Sequence, residues 1–183
     1  MKITVLDLET IGFDPRGCIV EVGVVELDLD SGEITCLLNM PVREEQFSKA
    51  QHGRSWIFSH SDLTVWNVLE ATPWKNAERE LRWILEENPV TAFNKAFDFS
   101  FLRARSLVPK REAPCPMMKA TPVLKIPGPN RGYKWPTLEE AWEHYFPGLD
   151  YTEQHRAFDD ALHEALLIRA MYIAGDYRVE EEN

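Results

Sequence analysis

The chain has 183 residues, 44% of them hydrophobic and 27% charged, with a net charge of −10. This suits one domain, spanning 1–183, with a sizeable core, and there is no Gly/Ser-rich linker to introduce a second. The acidity argues against a nonspecific duplex-coating protein; no run of about 18 apolar residues forms a membrane span, and Asp7 falls where a signal peptide needs its apolar stretch.

Ile3 to Leu8 is β-branched and aliphatic and reads as a strand. Cys18 to Leu29 alternates and makes a second strand, Asp28 to Gly32 is a turn by composition, and Glu33 to Met40 returns as a third. Together they predict an antiparallel meander. Val42 to Leu69 suggests short helices and loops. From Pro73, Trp74, Ala77, Leu81, Ile84 and Leu85 recur at helical spacing, and Asn88-Pro89 ends that helix.

Pro89 to Phe93 is a short apolar strand and Phe97 to Leu107 a helix, with Phe93, Phe97 and Phe101 expected in the core. Six of the twelve prolines then fall between Pro109 and Pro129, predicting an irregular, mobile segment. Thr137 and Glu140 form a capping box for a helix to Tyr145, and the last helix runs from about Ala157 to Ala174. Residues 177–183 read as a frayed acidic tail. Strands first, then alternating helix and strand, indicate an α/β layered fold.

Three separated cysteines, Cys18, Cys36 and Cys115, make neither a disulfide framework nor a zinc site, so a reducing, cytoplasmic setting is expected. Charge is unevenly spread. Lys95 to Lys134 carries nine basic residues against two acids, a local balance of +7 beside −17 elsewhere. One reading is an ordinary solvated surface; the other is a basic face beside an acidic, cation-binding site.

Three acidic clusters could supply such a site. Asp7 and Glu9 are two apart on a strand and share a face, where their mutual repulsion invites a cation. Hard carboxylate oxygens suit Mg²⁺ or Mn²⁺. Asp98 follows the short strand, in the first turn of the next helix, where an acid also simply complements the helix dipole. Strand ends of this kind gather ligands in open α/β sheets. His155 precedes the last helix, and Asp159 and Asp160 lie in its opening turns; periodicity does not choose between the two acids. Each cluster alone also fits an exposed, structural role.

In order and spacing the clusters resemble the DEDDh-type 3′–5′ exonucleases, the group of polymerase proofreading subunits, ribonuclease T and oligoribonuclease. The first motif stands as Asp7-Leu8-Glu9-Thr10-Ile11-Gly12, the second as Asn94-Lys95-Ala96-Phe97-Asp98, the third as His155-Arg156-Ala157-Phe158-Asp159-Asp160. Ile11 stands where many members have a second Thr, and Phe93 where a His often precedes the Asn. The motif alignment favours Asp160 over Asp159.

The resemblance implies a ribonuclease H-like fold: a central mixed five-stranded sheet, antiparallel meander first and parallel strands after, flanked by helices. It implies Asp7, Glu9, Asp98 and Asp160 around two Mg²⁺ or Mn²⁺ ions roughly 4 Å apart, with His155 as general base. The expected substrates are 3′ ends of single-stranded DNA or RNA, DNA placed slightly ahead, with nucleoside 5′-monophosphates released. Substrate contacts are expected from Thr10, Ile11 and Asn94 at the terminal nucleotide and from Arg131 and Lys134 at upstream phosphates. A polymerase or another replication or repair protein is the partner class implied. The alternatives are a noncatalytic nucleic-acid- or polymerase-binding module on the same fold, and an oligonucleotide-recycling phosphodiesterase. Trp56, Trp66 and Trp135 are candidates for an interface.

Overall fold

The sheet is organised around its first strand, which has neighbours on both sides. The structure is a computed structural model that describes residues 1–129 and 132–179. In it β1 (Lys2–Thr10) pairs antiparallel with β2 (Ile19–Asp28), and β2 pairs antiparallel with β3 (Ile34–Arg43), as the meander requires. On the far side of β1 lies β5 (Val90–Thr91), parallel to it. A two-residue β4 (Thr72–Pro73) runs parallel to β3 at the opposite edge. The sheet order is β4-β3-β2-β1-β5. Thus five mixed strands form, although β4 is too short for any sequence pattern to announce.

Strand period divides the core in two. Leu6 and Leu8 face one side, against Leu81, Ile84 and Leu85 of α4 (Trp74–Glu87) and Phe99, Phe101 and Leu102 of α5 (Lys95–Ala104). Ile3 and Val5 face the other, against Ala165, Leu167, Ile168 and Met171 of α8 (Ala157–Ala174). That second side also takes α6 (Pro116–Leu124) and α7 (Leu138–Tyr145). A third cluster joins Cys18 and Val20 to residues around α1 (Lys49–His52), α2 (Ile57–His60) and α3 (Val65–Leu69).

The α7 capping box forms as expected: Glu140 N–H donates to Thr137 Oγ1, and Thr137 N–H to Glu140 Oε2. Two expectations need correction. The proline-dense segment contains a helix, α6, because Pro116 sits in its first turn, where a missing N–H costs nothing. And the chain near 177 is not frayed. Tyr177 is fully buried and donates its hydroxyl to the Pro114 carbonyl at 2.8 Å; residues 180–183 of the predicted tail lie outside the described residues.

Candidate active site

The face of β1 that carries Ile3 and Val5 continues, two residues at a time, to Asp7 and Glu9. The same period that builds the α8-side core therefore delivers two carboxylates to the C-terminal end of the strand. Their partners across the ladder are Gly23 for Asp7 and Glu21 for Glu9. Gly23 is what admits α8: a Cβ there would lie 2.0 Å from the Ala157 carbonyl oxygen. Glu21 then fastens the helix, accepting from Ala157 N–H at 3.0 Å and from the Arg156 guanidinium at 2.7 Å. Asp160 rides in on the first turn of this docked helix.

Glu9, His155 and Asp160 bring one ligand atom each within 4.8 Å of one another. Asp98 arrives from α5, and its Oδ1 accepts from Leu8 N–H at 3.2 Å, which ties the second motif to β1. A cleft of about 580 Å³ is lined by Asp7, Glu9, Asp98 and His155 among others. The three motifs thus converge. Asp160 is buried beside this cleft and groups with Glu9 and His155, whereas Asp159 lines a separate hollow of about 690 Å³.

The electrostatics of the cluster reflect its burial and its lack of basic partners. Burial, followed by repulsion from Asp98 and Glu9, raises the Asp7 carboxyl well above the usual range. Burial, then Asp160 and Glu21, does the same to Glu9. Asp98 is pushed up to about 7 by burial, although its own amide and that of Leu8 oppose the rise. Asp160 is raised by burial to about 6, against donors from Tyr151 and the Arg156 amide. Among the described residues no Lys or Arg pairs with any of the four. A set of desolvated, unneutralised carboxylate oxygens has the donor chemistry of a hard divalent cation site. His155 moves the other way: burial and His60 lower its pKa, so the imidazole is neutral near pH 7.

The peripheral residues divide. Thr10 and Asn94 line the cleft. Ile11 does not; it packs against the third apolar cluster, and its N–H already donates to Cys18 O at 2.8 Å. Lys134 is bound to Glu140 at 2.5 and 2.8 Å, and Arg131 lies outside the described residues. Phe93 and Phe101 are core, but Phe97 is only half-buried and lines the cleft. Trp56 also lines it, edge-on to His155 at 4.7 Å, and is not simply a surface residue available for an interface.

Several cleft residues escaped sequence reasoning. Glu164, one turn beyond Asp160, is buried and accepts from Phe93 N–H at 3.0 Å; burial and Asp98 raise its carboxyl well above normal. Its helical spacing from Asp160 was the available signal. Glu153 is raised by burial to about 7, with Oε1 3.8 Å from His155 Nδ1. Phe13 is 89% exposed at the cleft, edge-on to Phe97. Its loop is held by Arg105, which donates to the Pro15 and Gly17 carbonyls while paired with buried Glu44.

An α/β sheet presenting buried acids and a neutral histidine at the end of its first strand is the framework of a phosphodiester-hydrolysing enzyme. The exonuclease family typified by ribonuclease T (RNase T) matches residues 4–168, and the chain belongs to that family. Solved structures agree on the fold. A 3′-exonuclease recognising the 3′ end of a histone mRNA stem-loop is 17% identical, with a TM-score of 0.72, covering 99% of this chain and 86% of its own. E. coli exonuclease I in complex with a dA16 oligonucleotide is 11% identical, with a TM-score of 0.68, covering 94% of this chain but 41% of its own. The cell-death related nuclease CRN-4 is 14% identical at a TM-score of 0.64, covering 95% of this chain and 64% of its own. The mixed sheet flanked by helices is accordingly the ribonuclease H-like fold. No curated protein matches in sequence. Among the described residues no helix is long and apolar enough to cross a membrane.

Proposed function

We propose that this cleft removes nucleotides one at a time from the 3′ end of single-stranded nucleic acid, with Asp7, Glu9, Asp98, Asp160 and His155 as a DEDDh set. The observation that carries the reading is the convergence of three distant motifs on one cleft at the end of β1. Asp7, Glu9, Asp98 and Asp160 would hold two Mg²⁺ or Mn²⁺ ions. Such ions, when bound, supply charge neutralisation at the scissile phosphate and at the departing oxygen.

The chain's own residues do the rest. His155 would take a proton from the attacking water. The water oxygen bonds to phosphorus, the bond from phosphorus to the 3′ oxygen breaks, and that oxygen collects a proton from solvent. The product is a nucleoside 5′-monophosphate. Phe13 and Trp56, both exposed at the cleft, suit stacking on terminal bases of any identity. Exposed Lys119 and Lys125, on and just after α6, have no acidic partner among the described residues and suit the phosphates upstream.

The reading places DNA slightly ahead of RNA, in a cytoplasmic enzyme that serves replication or repair. A time course on 5′-labelled single-stranded DNA and RNA, with Mg²⁺, Mn²⁺ or EDTA and an Asp7→Ala control, tests it. A ladder shortening from the 3′ end is expected, lost in EDTA and in the variant. Activity surviving in Asp7→Ala overturns the assignment.

A further inference from the structure

Tyr151 belongs to none of the three motifs, yet its hydroxyl donates to Asp160 Oδ1 at 3.0 Å. The other oxygen, Oδ2, accepts from Arg156 N–H, also at 3.0 Å. The two donors reach Asp160 from residues five positions apart in the chain, and each engages a different oxygen. An aspartate's last torsion is a broad, two-fold rotor, and nothing in the side chain itself selects one plane. A donor on each oxygen does select one. It also leaves further acceptor capacity on both oxygens.

The tyrosine is itself held on several sides. Its ring packs against Trp142 at 5.0 Å and His163 at 4.4 Å between centroids. Trp142 in turn donates its indole N–H to the Leu149 carbonyl at 2.9 Å, fixing the approach to Tyr151. His163 is anchored by Nδ1, 2.8 Å from the Asp159 carbonyl. Two aromatic neighbours and a backbone anchor therefore aim one phenol at one carboxylate oxygen.

We infer that Tyr151 is a positioning residue that presets the Asp160 carboxylate for a divalent cation. The inference rests on the reading of Asp160 as a cation ligand. Groups that orient a ligating carboxylate typically contribute 10–100-fold to metal affinity or activity. Tyr151→Phe removes the donor and keeps the ring contacts with Trp142 and His163, so the fold has no reason to change.

Titration calorimetry of the full chain with MnCl₂, for the unmodified protein, Tyr151→Phe and Asp160→Asn, is the test. Tyr151→Phe is expected to bind Mn²⁺ about 10-fold more weakly or worse. Its circular dichroism in EDTA should match that of the unmodified protein, which shows that the fold is kept even though one hydrogen bond is lost. In turnover, substrate KM should hold while kcat falls at low Mn²⁺ and returns as Mn²⁺ is raised, a rescue that a merely structural role does not produce. Unchanged Mn²⁺ affinity in Tyr151→Phe, with Asp160→Asn impaired, overturns the inference alone. Unchanged affinity in Asp160→Asn overturns the ligand reading beneath it.

Discussion

Replacing Asp98 with Asn should make the cation-free protein more stable while destroying its activity. The Asp98 carboxyl is pushed from 3.8 up to about 7, mainly by burial. At about 1.4 kcal/mol per pKa unit, holding it ionised in the fold costs on the order of 4 kcal/mol. Asparagine removes the charge and keeps an oxygen for Leu8 N–H, but it buries an amide that needs its own partners, at about 1–3 kcal/mol. The net gain is roughly 1–3 kcal/mol, or about 2–12 °C in Tm for a chain of this size.

The sign depends on pH. A carboxyl raised in the fold contributes stability that is fully present below its unfolded value of 3.8 and lost as pH rises through about 7. Near pH 4, where Asp98 is protonated in the fold, only the amide cost remains and Asp98→Asn should be the less stable by about 1–3 kcal/mol; the difference should change sign as pH rises and reach its full gain by pH 8. Mn²⁺ should reverse the order, since a ligand at 1,000 times its Kd adds about 4.1 kcal/mol to a protein that binds it. Thermal unfolding in EDTA and in MnCl₂ across this range reads all three effects. Equal Tm values in EDTA at pH 8, or a gap independent of pH, would refute the reasoning.

Gly23→Ala places a Cβ 2.0 Å from the Ala157 carbonyl, and neither backbone can yield without moving α8; a loss of at least about 3 kcal/mol is expected, with weakened Mn²⁺ binding by calorimetry. Phe13→Ala should leave stability within about 0.5 kcal/mol because the ring is so exposed. Its KM for oligonucleotides should nonetheless rise roughly 5–150-fold, the equivalent of about 1–3 kcal/mol of base stacking, and an unchanged KM removes that role. Replacing Lys119 and Lys125 together with Ala should reduce the salt slope of single-strand binding by about 1.4, from about 0.7 per phosphate contact. Lys134→Ala, whose charge is already matched by Glu140, should leave that slope in place.

The parts of this site legible in the sequence are those governed by local period. Alternation put Asp7 and Glu9 on one face, the Thr137–Glu140 box started α7 where it begins, and the last helix runs from Ala157 to Ala174 as its pattern predicts. What was hidden depends on contacts far apart in sequence. β4 exists only because Val42 and Arg43 offer it an edge. Tyr177 is anchored by Pro114, 63 residues away. Phe13 looks like a stray surface aromatic until Arg105 and Glu44 fix its loop beside the cleft. Gly23 did carry a signal, since a lone glycine within a strand often marks a close backbone approach. Which backbone approaches, though, is a tertiary fact.

The acids of the fold fall into two groups, and the division itself argues for the site. Glu44 is buried and bound by Arg105; Glu112 is matched by Lys95 and Arg103; Glu21 is matched by Arg156. These are carboxylates whose charge the chain answers with its own cations. Among the described residues Asp7, Glu9, Asp98, Asp160 and Glu164 receive hydrogen bonds at most, although Arg156 is the direct neighbour of His155 and within four residues of Asp160. Its guanidinium turns instead to Glu21 and Asp62. A fold selected for stability alone would gain by placing one arginine among those five acids, as it does for Glu44. Acids packed this closely without a basic partner either take up protons, as their raised pKa values allow, or hold a cation from solution, which is the role proposed for them above.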